Sequence, residues 1–178
     1  MAGKQNKKSW ITVRDITDIA VLACILFIQE ELLTFLPNIQ LTIFLLILYS
    51  KKLGFIRTSI IVAIHVILDN LVMGSFNLVY TPAMFIGWMT IPILICLFCK
   101  KIENPILLGI VGFICGFLYS WCFILPNYLI YGIKPLIYLG TDIIFEVILA
   151  SVGFFTTLLL YVPCSKIFNH FNIGGNKQ

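Results

Sequence analysis

The sequence predicts an all-α integral membrane protein of six transmembrane helices with both termini cytoplasmic, in a single domain over residues 1–178. Three observations carry this. Of the 178 residues, 60% are hydrophobic and only 11% charged, and the mean hydropathy of +1.03 lies well beyond soluble globular composition. Apolar runs alternate with short polar turns along the whole chain. When these runs are laid out as alternating spans, Lys4, Lys7, Lys8, Arg14, Lys51, Lys52, Arg57, Lys100, Lys101, Lys166 and Lys177 share one side, and Lys134 alone takes the other. By the positive-inside rule the crowded side is the cytoplasm. The net charge of +4 therefore reads as a topological determinant near anionic lipid rather than a nucleic-acid surface. Only residues 1–15, 164–178 and short loops remain outside the spans, so no soluble domain is expected to hydrolyse ATP, and energy would come from a partner.

The first span is expected over Ile16–Phe35, stopped by Pro37-Asn38 and carrying Gln29, Glu30 and Glu31 in its outer half. It is long and lacks a small-residue cleavage site, which reads as a retained helix rather than a signal peptide. The second, Ile39–Ser50, rises only about 18 Å against a hydrocarbon core of about 30 Å. Charge keeps it as a span, because dropping it would put Lys51, Lys52 and Arg57 opposite Lys100 and Lys101. It is expected to rely on lysine snorkelling and local membrane thinning. The third, Phe55–Met73, carries His65, Asp69 and Asn70. A polar-aromatic loop over Gly74–Pro82 leads into the fourth, Ala83–Phe98, which passes Trp88.

Pro105 suits the first turn of the fifth helix, which is expected to reach Ile124. Its Gly109, Gly112 and Gly116 space as a close helix contact. An outer loop over Leu125–Pro135 then precedes the sixth span, which passes Asp142 and Glu146 and ends near Pro163. Leu-Pro-Asn occurs at 36–38 and 125–127, where local stop signals explain both. The six cysteines lack metal-site spacing, and Cys96 and Cys99 have no second pair nearby. They read as small apolar residues, and neither a metal nor a cofactor is expected.

Asp142 and Glu146 lie four residues apart, one turn apart on one helical face. Each ionisable group at membrane depth costs roughly 3 kcal/mol or more, so by default it faces a cavity or a partner. For Asp142 the alternative is a helix N-terminus. The polar groups are lopsided in depth: Glu30, Glu31, Asp69, Asp142 and Glu146 fall centrally or in the outer half, where His65 and Lys134 are the only cations. A channel would line its whole length. A pocket open on one side needs polar groups only there, and unpaired acceptors favour a donor-rich or cationic ligand. Pairing of His65 with Asp69 or Glu146 competes with that reading, and an interfacial belt competes for the aromatics. The substrate-binding candidates are Glu146, Asp142, Asp69, Glu30, His65, Asn77, Tyr80, Trp88 and Tyr131. No G-x-S-x-G, H-E-x-x-H or phosphate-cradling loop is present, so no catalytic residue is assigned and the chain is not read as an enzyme. Two alternatives stay open: a small proton-coupled secondary carrier, and an intramembrane enzyme using His65.

The inner half of the first helix presents small residues at Ala20, Ala23 and Cys24, a surface on which another helix can lie close. With six helices, this size and an outward polar site, the chain resembles the S-components, the substrate-binding subunits of energy-coupling factor vitamin transporters. Their Ala-x-x-x-Ala motif is matched by Ala20 in its first position, with Cys24 standing in for the second. The resemblance implies a multi-pass protein of a bacterial cell membrane, of Gram-positive type. It would work with a membrane scaffold subunit docked at Ala20, Ala23 and Cys24, and with two cytoplasmic ATPase subunits. It further implies tight capture of a vitamin outside, closure of a loop over it, toppling in the membrane and release inside, with Gly74–Pro82 as lid and Asn127–Lys134 opposite. A nitrogen heterocycle of the thiamin, pyrimidine or pyridoxine kind suits the acids; cobalamin, folate and nucleoside-like ligands are neighbouring possibilities.

Overall fold

The computed structural model describes residues 12–74 and 76–175, all-helical with no strand among them. Seven helices follow in order: α1 Val13–Leu33, α2 Thr42–Leu53, α3 Phe55–Val72, α4 Tyr80–Leu97, α5 Pro105–Trp121, α6 Ile124–Tyr131 and α7 Pro135–His170. Four stretches are long and apolar enough to cross a membrane: Phe55–Val72, Tyr80–Leu97, the Pro105–Tyr131 segment shared by α5 and α6, and Pro135–His170. Large apolar side chains such as Leu71, Leu97, Ile144 and Leu159 stay exposed along them. So much bare apolar surface is what a membrane protein presents to lipid.

α1 begins three residues before its expected start, because Thr12 and Asp15 close a capping box over its first turn. Thr12 Oγ1 accepts from the Asp15 amide at 3.3 Å, and the Asp15 carboxylate accepts from the Thr12 amide at 2.9 Å.

α2 is the short helix that the sequence left awkward, and its surroundings explain it. Every residue from Thr42 to Ser50 is buried, enclosed by α1, α3, α4, α5 and α7. A helix with protein on all sides faces no lipid, so its length of about 18 Å imposes no thinning. The expected snorkelling is also corrected for Lys51. Its side chain is only 3% exposed and turns to the end of α4, donating to the carbonyls of Cys99, Lys100 and Ile102 at 3.3, 2.7 and 2.6 Å and pairing with Glu103 at 3.3 Å. Those residues form the turn after α4, so the lysine anchors the connection between α4 and α5. Gly54 alone joins α2 to α3 at φ +80°, a left-handed conformation that a side chain rarely adopts.

α5 and α7 pack more closely than any side chain would allow. A Cβ on Gly116 would lie 2.7 Å from Ala150 Cα, and one on Gly112 would lie 3.0 Å from the Gly153 carbonyl. The expected glycine contact is therefore the α5–α7 seam. Two boundaries differ from expectation. The loop expected over Leu125–Pro135 contains α6, whose Pro126 falls in the first turn, where a missing N–H is harmless, and whose end is marked by left-handed Gly132. The last helix runs through Pro163 to His170, and 36 residues give it a length of about 54 Å.

The segment after α7 is tied down. Arg14 donates to the carbonyls of Phe171 and Asn172, Arg57 donates to the Gly174 carbonyl, and the Gly174 amide donates to Asp18 at 3.2 Å. Arg57 also pairs with Asp15 at 3.0 Å. These contacts gather at one end of the bundle, the basic end.

Candidate functional site

The opposite end collects the carboxylates. α1 and α3 bring their C-terminal turns there, α4 and α7 their N-terminal turns, and α5 its last turn. The antiparallel pairing of α5 with α7 follows from the contacts of Gly109 with Phe154, Gly112 with Gly153 and Gly116 with Ala150. It carries Trp121 to Glu146, where the indole Nε1 donates to Glu146 Oε2 at 3.3 Å.

One wall is built by α1, α2 and α3. Gln29 clamps the entry to α2, accepting from the Leu41 amide and donating to Thr42, both at 2.8 Å. The Thr42 hydroxyl lies 3.1 Å from Glu30 Oε2. The same carboxylate oxygen lies 3.0 Å from His65 Nε2, and His65 is fully buried. Neither imidazole nitrogen has an aligned hydrogen-bond partner among the described residues, and Glu31 Oε1 has none either. Asp69 lies one helical turn from His65, within electrostatic reach of it and of Glu30 and Glu31. The histidine therefore meets Glu30, rather than the expected Asp69 or Glu146, as its closest acid.

A second wall is formed by the N-terminal part of α7 and the end of α5. Glu146 is 1% exposed, and its Oε1 has no hydrogen-bond partner among the described residues. Asp142, half-buried, accepts from the Tyr138 hydroxyl at 3.1 Å. α7 starts at Pro135 and has no acid in its first turn, so Asp142 sits well beyond the reach of the helix dipole. That removes the helix-start reading of this residue.

Between the walls runs a row of aromatic rings. Tyr80 stacks near Phe123 and Tyr131, Phe123 meets Tyr119 edge-on, and Tyr119 lies on Trp88 with centroids 3.7 Å apart. Trp88 in turn neighbours His65 at 6.4 Å. The row depends on Gly87, because a Cβ there would lie 2.7 Å from the Tyr119 ring.

Several candidates hold other posts. Trp88 is fully buried, with its Nε1 lacking a partner among the described residues, and so lies inside the bundle. The Asn77 carboxamide oxygen accepts from the amides of Val79 and Tyr80 at 2.8 and 3.1 Å, which fixes the start of α4. Tyr80 and Pro82 belong to that helix rather than to a loop, and the Tyr80 hydroxyl donates to Asn127 at 2.9 Å. Tyr131 is largely exposed. Of the small residues on α1, Ala20 and Cys24 face outward and Ala23 turns into the core at 1% exposure.

Thr42 and Tyr119 are the additions, and Gln29, Asn70, Trp121 and Tyr138, legible in the sequence by depth alone, acquire partners here. Asn70 donates to the Val66 carbonyl and accepts from Thr81, both at 2.8 Å, joining α3 to α4. For Tyr138 and Trp121 the sequence signal was an aromatic at the same depth as the acids. For Tyr119 the signal was Gly87, meaningful only once α4 and α5 are known to touch. No protein family, curated protein or solved structure matches the chain.

Proposed function

We propose that this chain is the high-affinity substrate-binding subunit of an energy-coupling factor type importer. It would cross a bacterial cell membrane six times with both termini cytoplasmic, capture a water-soluble vitamin or related micronutrient at its carboxylate end, and deliver it inward with a scaffold subunit and two ATPases. The observation that carries this reading is the buried carboxylate oxygen Glu146 Oε1 without a partner among the described residues, at the end of the bundle that also holds Glu30, Asp69 and Asp142. An unmet buried acceptor costs about 1–3 kcal/mol, and more when charged, so it is retained where something else supplies the donor. Trp121 lies against Glu146, and the row of rings from Tyr131 through Tyr80 and Phe123 to Tyr119 supplies flat apolar area at the same end. Carboxylates with aromatics suit a donor-bearing nitrogen heterocycle of the thiamin, pyrimidine or pyridoxine kind. The exposed Ala20 and Cys24 fit a helix of the scaffold subunit.

The test is purification in mild detergent, with mass spectrometry of bound small molecules and of co-purifying membrane partners. Recovery of a heterocyclic micronutrient and a scaffold subunit is the expected result. Recovery of neither overturns the proposal. A second reading, a proton-coupled carrier, draws on the closeness of His65, Glu30 and Asp69. It requires uptake that survives ATP depletion and collapses with an uncoupler, the opposite of the first.

A further inference from the structure

The basic end carries a cavity that the proposed function does not use. It has a volume of about 550 Å³ and lies between the α2–α3 corner and the end of α4, with Lys51, Lys52, Gly54, Phe55, Leu97 and Lys100 among its lining. We propose that this cavity binds the phosphate headgroup of an anionic phospholipid.

Charge is the first argument. Of the acids at this end, Asp15 pairs with Arg57, Asp18 accepts from the Gly174 amide, and Glu103 pairs with Lys51. The Lys51 ammonium is further used by three carbonyls. Lys52 and Lys100 have no carboxylate within ion-pair distance among the described residues, and residues 1–11 contain no acid. Lys52 makes one side-chain hydrogen bond, to Asn169 Oδ1 at 3.0 Å, which brings no negative charge. Two cations around one concave space therefore have no counter-charge among the described residues, and a phosphate is an anion that accepts from both.

The backbone adds to this. α3 starts at the cavity with Gly54 as its N-cap, no side-chain cap and no acid in its first turn. Its free amide groups point positive dipole ends toward the same space.

The choice of a lipid over a free anion rests on the walls. Phe55 is 43% exposed and Leu97 is 70% exposed, so the cavity is flanked by bare apolar side chains. A diacyl tail covers such walls and inorganic phosphate does not. Basic pockets between helices, at the level where the lysines end the apolar spans, are where anionic headgroups are read.

The experiment uses the full chain, delipidated in neutral detergent and titrated with phosphatidylglycerol, phosphatidylcholine or inorganic phosphate, with bound lipid counted by native mass spectrometry and the unfolding midpoint followed. Phosphatidylglycerol is expected to bind and raise the midpoint, and the other two are not. The double variant Lys52→Gln, Lys100→Gln is expected to bind about thirtyfold more weakly, at roughly fivefold per lysine. Lys166→Gln, at the same end but outside the cavity, is expected to keep wild-type affinity. Equal binding of phosphatidylcholine overturns the proposal, as does a midpoint rise with inorganic phosphate alone, or equal weakening by Lys166→Gln, which would indicate diffuse charge attraction. Should the double variant fail to fold, the three-way comparison on the wild-type chain still decides.

Discussion

Gly116→Ala tests whether the α5–α7 seam holds the bundle together. The added Cβ would lie 2.7 Å from Ala150 Cα, 2.9 Å from Ala150 N and 3.0 Å from Ala150 Cβ, whereas ordinary contact begins at 3.4 Å. The atoms it meets first belong to backbone, so no side chain can swing away, and the two helices must part by up to about 0.7 Å locally. A gap of about 0.5–1 Å forfeits a quarter to a half of each pairwise dispersion well along the opened stretch. Overpacking of this kind costs about 1–3 kcal/mol. Replacing glycine by alanine within a helix returns about 1 kcal/mol, leaving a net loss of up to about 2 kcal/mol. Gly140→Ala isolates the returned part, because nothing lies within 4 Å of a Cβ built there in α7. That variant is expected to gain up to about 1 kcal/mol. At about 2–4 °C per kcal/mol for a domain of this size, the difference of about 1–3 kcal/mol should separate the two midpoints by roughly 2–12 °C. Heating in detergent with a thiol-reactive dye reads this directly, since the chain has six free cysteines and Cys115, beside Gly116, is fully buried. If Gly116→Ala is as stable as Gly140→Ala, the seam is loose and the packing argument fails.

Lys51→Met removes the donor that three carbonyls of the turn after α4 share, while Glu103 keeps its bond from the Tyr161 hydroxyl, and the same dye assay is expected to show a loss of about 1–3 kcal/mol. Asp15 lies in the first turn of α1, and its carboxyl is held below its ordinary value of 3.8 by the Thr12 amide foremost, with the Thr12 hydroxyl and Arg57 adding to this against the opposing pull of burial. A lowered native value gives stability that is present above pH 3.8 and is lost as the pH falls through that native value. The wild-type midpoint should therefore drop in strongly acid buffer, while Asp15→Asn starts lower and changes less there; parallel curves for the two would contradict it. Glu146→Gln keeps the size of the side chain and removes its charge, and is expected to weaken retention of the bound small molecule tenfold or more, as read by equilibrium dialysis. Unchanged retention in this variant would place the pocket elsewhere.

Composition and charge placement made the helical membrane class legible, and the glycine spacing on α5 announced a close contact that α7 supplies. The acids too were visible as a group, because carboxylates are rare in apolar runs and their positions along each run give depth. What sequence could not give was the partner across the bundle. His65 has Asp69 one turn away, which is the only neighbour a linear reading can see, yet its closest acid is Glu30 on another helix. α2 shows the same limit in apolar form. A run of nine consecutive buried residues, Thr42 to Ser50, carries no helical stripe, so its period says nothing, and its position at the centre of the fold becomes evident only from what surrounds it. Lys51 misled for a related reason: a lysine at the end of an apolar run reads as a snorkelling anchor, and only the end of α4 beside it shows that it caps a neighbour.

The two ends of the bundle differ in how their charges are balanced, and that difference bears on where it can move. At the basic end the acids and arginines are matched: Asp15 with Arg57, Asp18 with the Gly174 amide, Glu103 with Lys51, and Arg14 with the carbonyls after α7. These contacts join α1, α3 and the segment after α7 to one another, and α2 to the turn after α4, so separating elements within either group breaks a charge-assisted bond. At the other end Glu30, Glu31, Asp69, Asp142 and Glu146 gather with one buried imidazole, which meets Glu30. Like charges in a poorly hydrated space repel, and no bond between the α1–α3 wall and the α7 wall offsets that among the hydrogen bonds of their carboxylates. A ligand that brings donors, or protons that neutralise the acids, draws these walls together and leaves the basic end as it is. Motion on binding is therefore expected at the N-terminal turns of α4 and α7. A spin-label pair on Leu71 and Ile144, both exposed near that end, should shorten on ligand addition, whereas a pair on Lys101 and Lys166 at the basic end should hold its distance. Equal change in both pairs would refute a bundle hinged at one end.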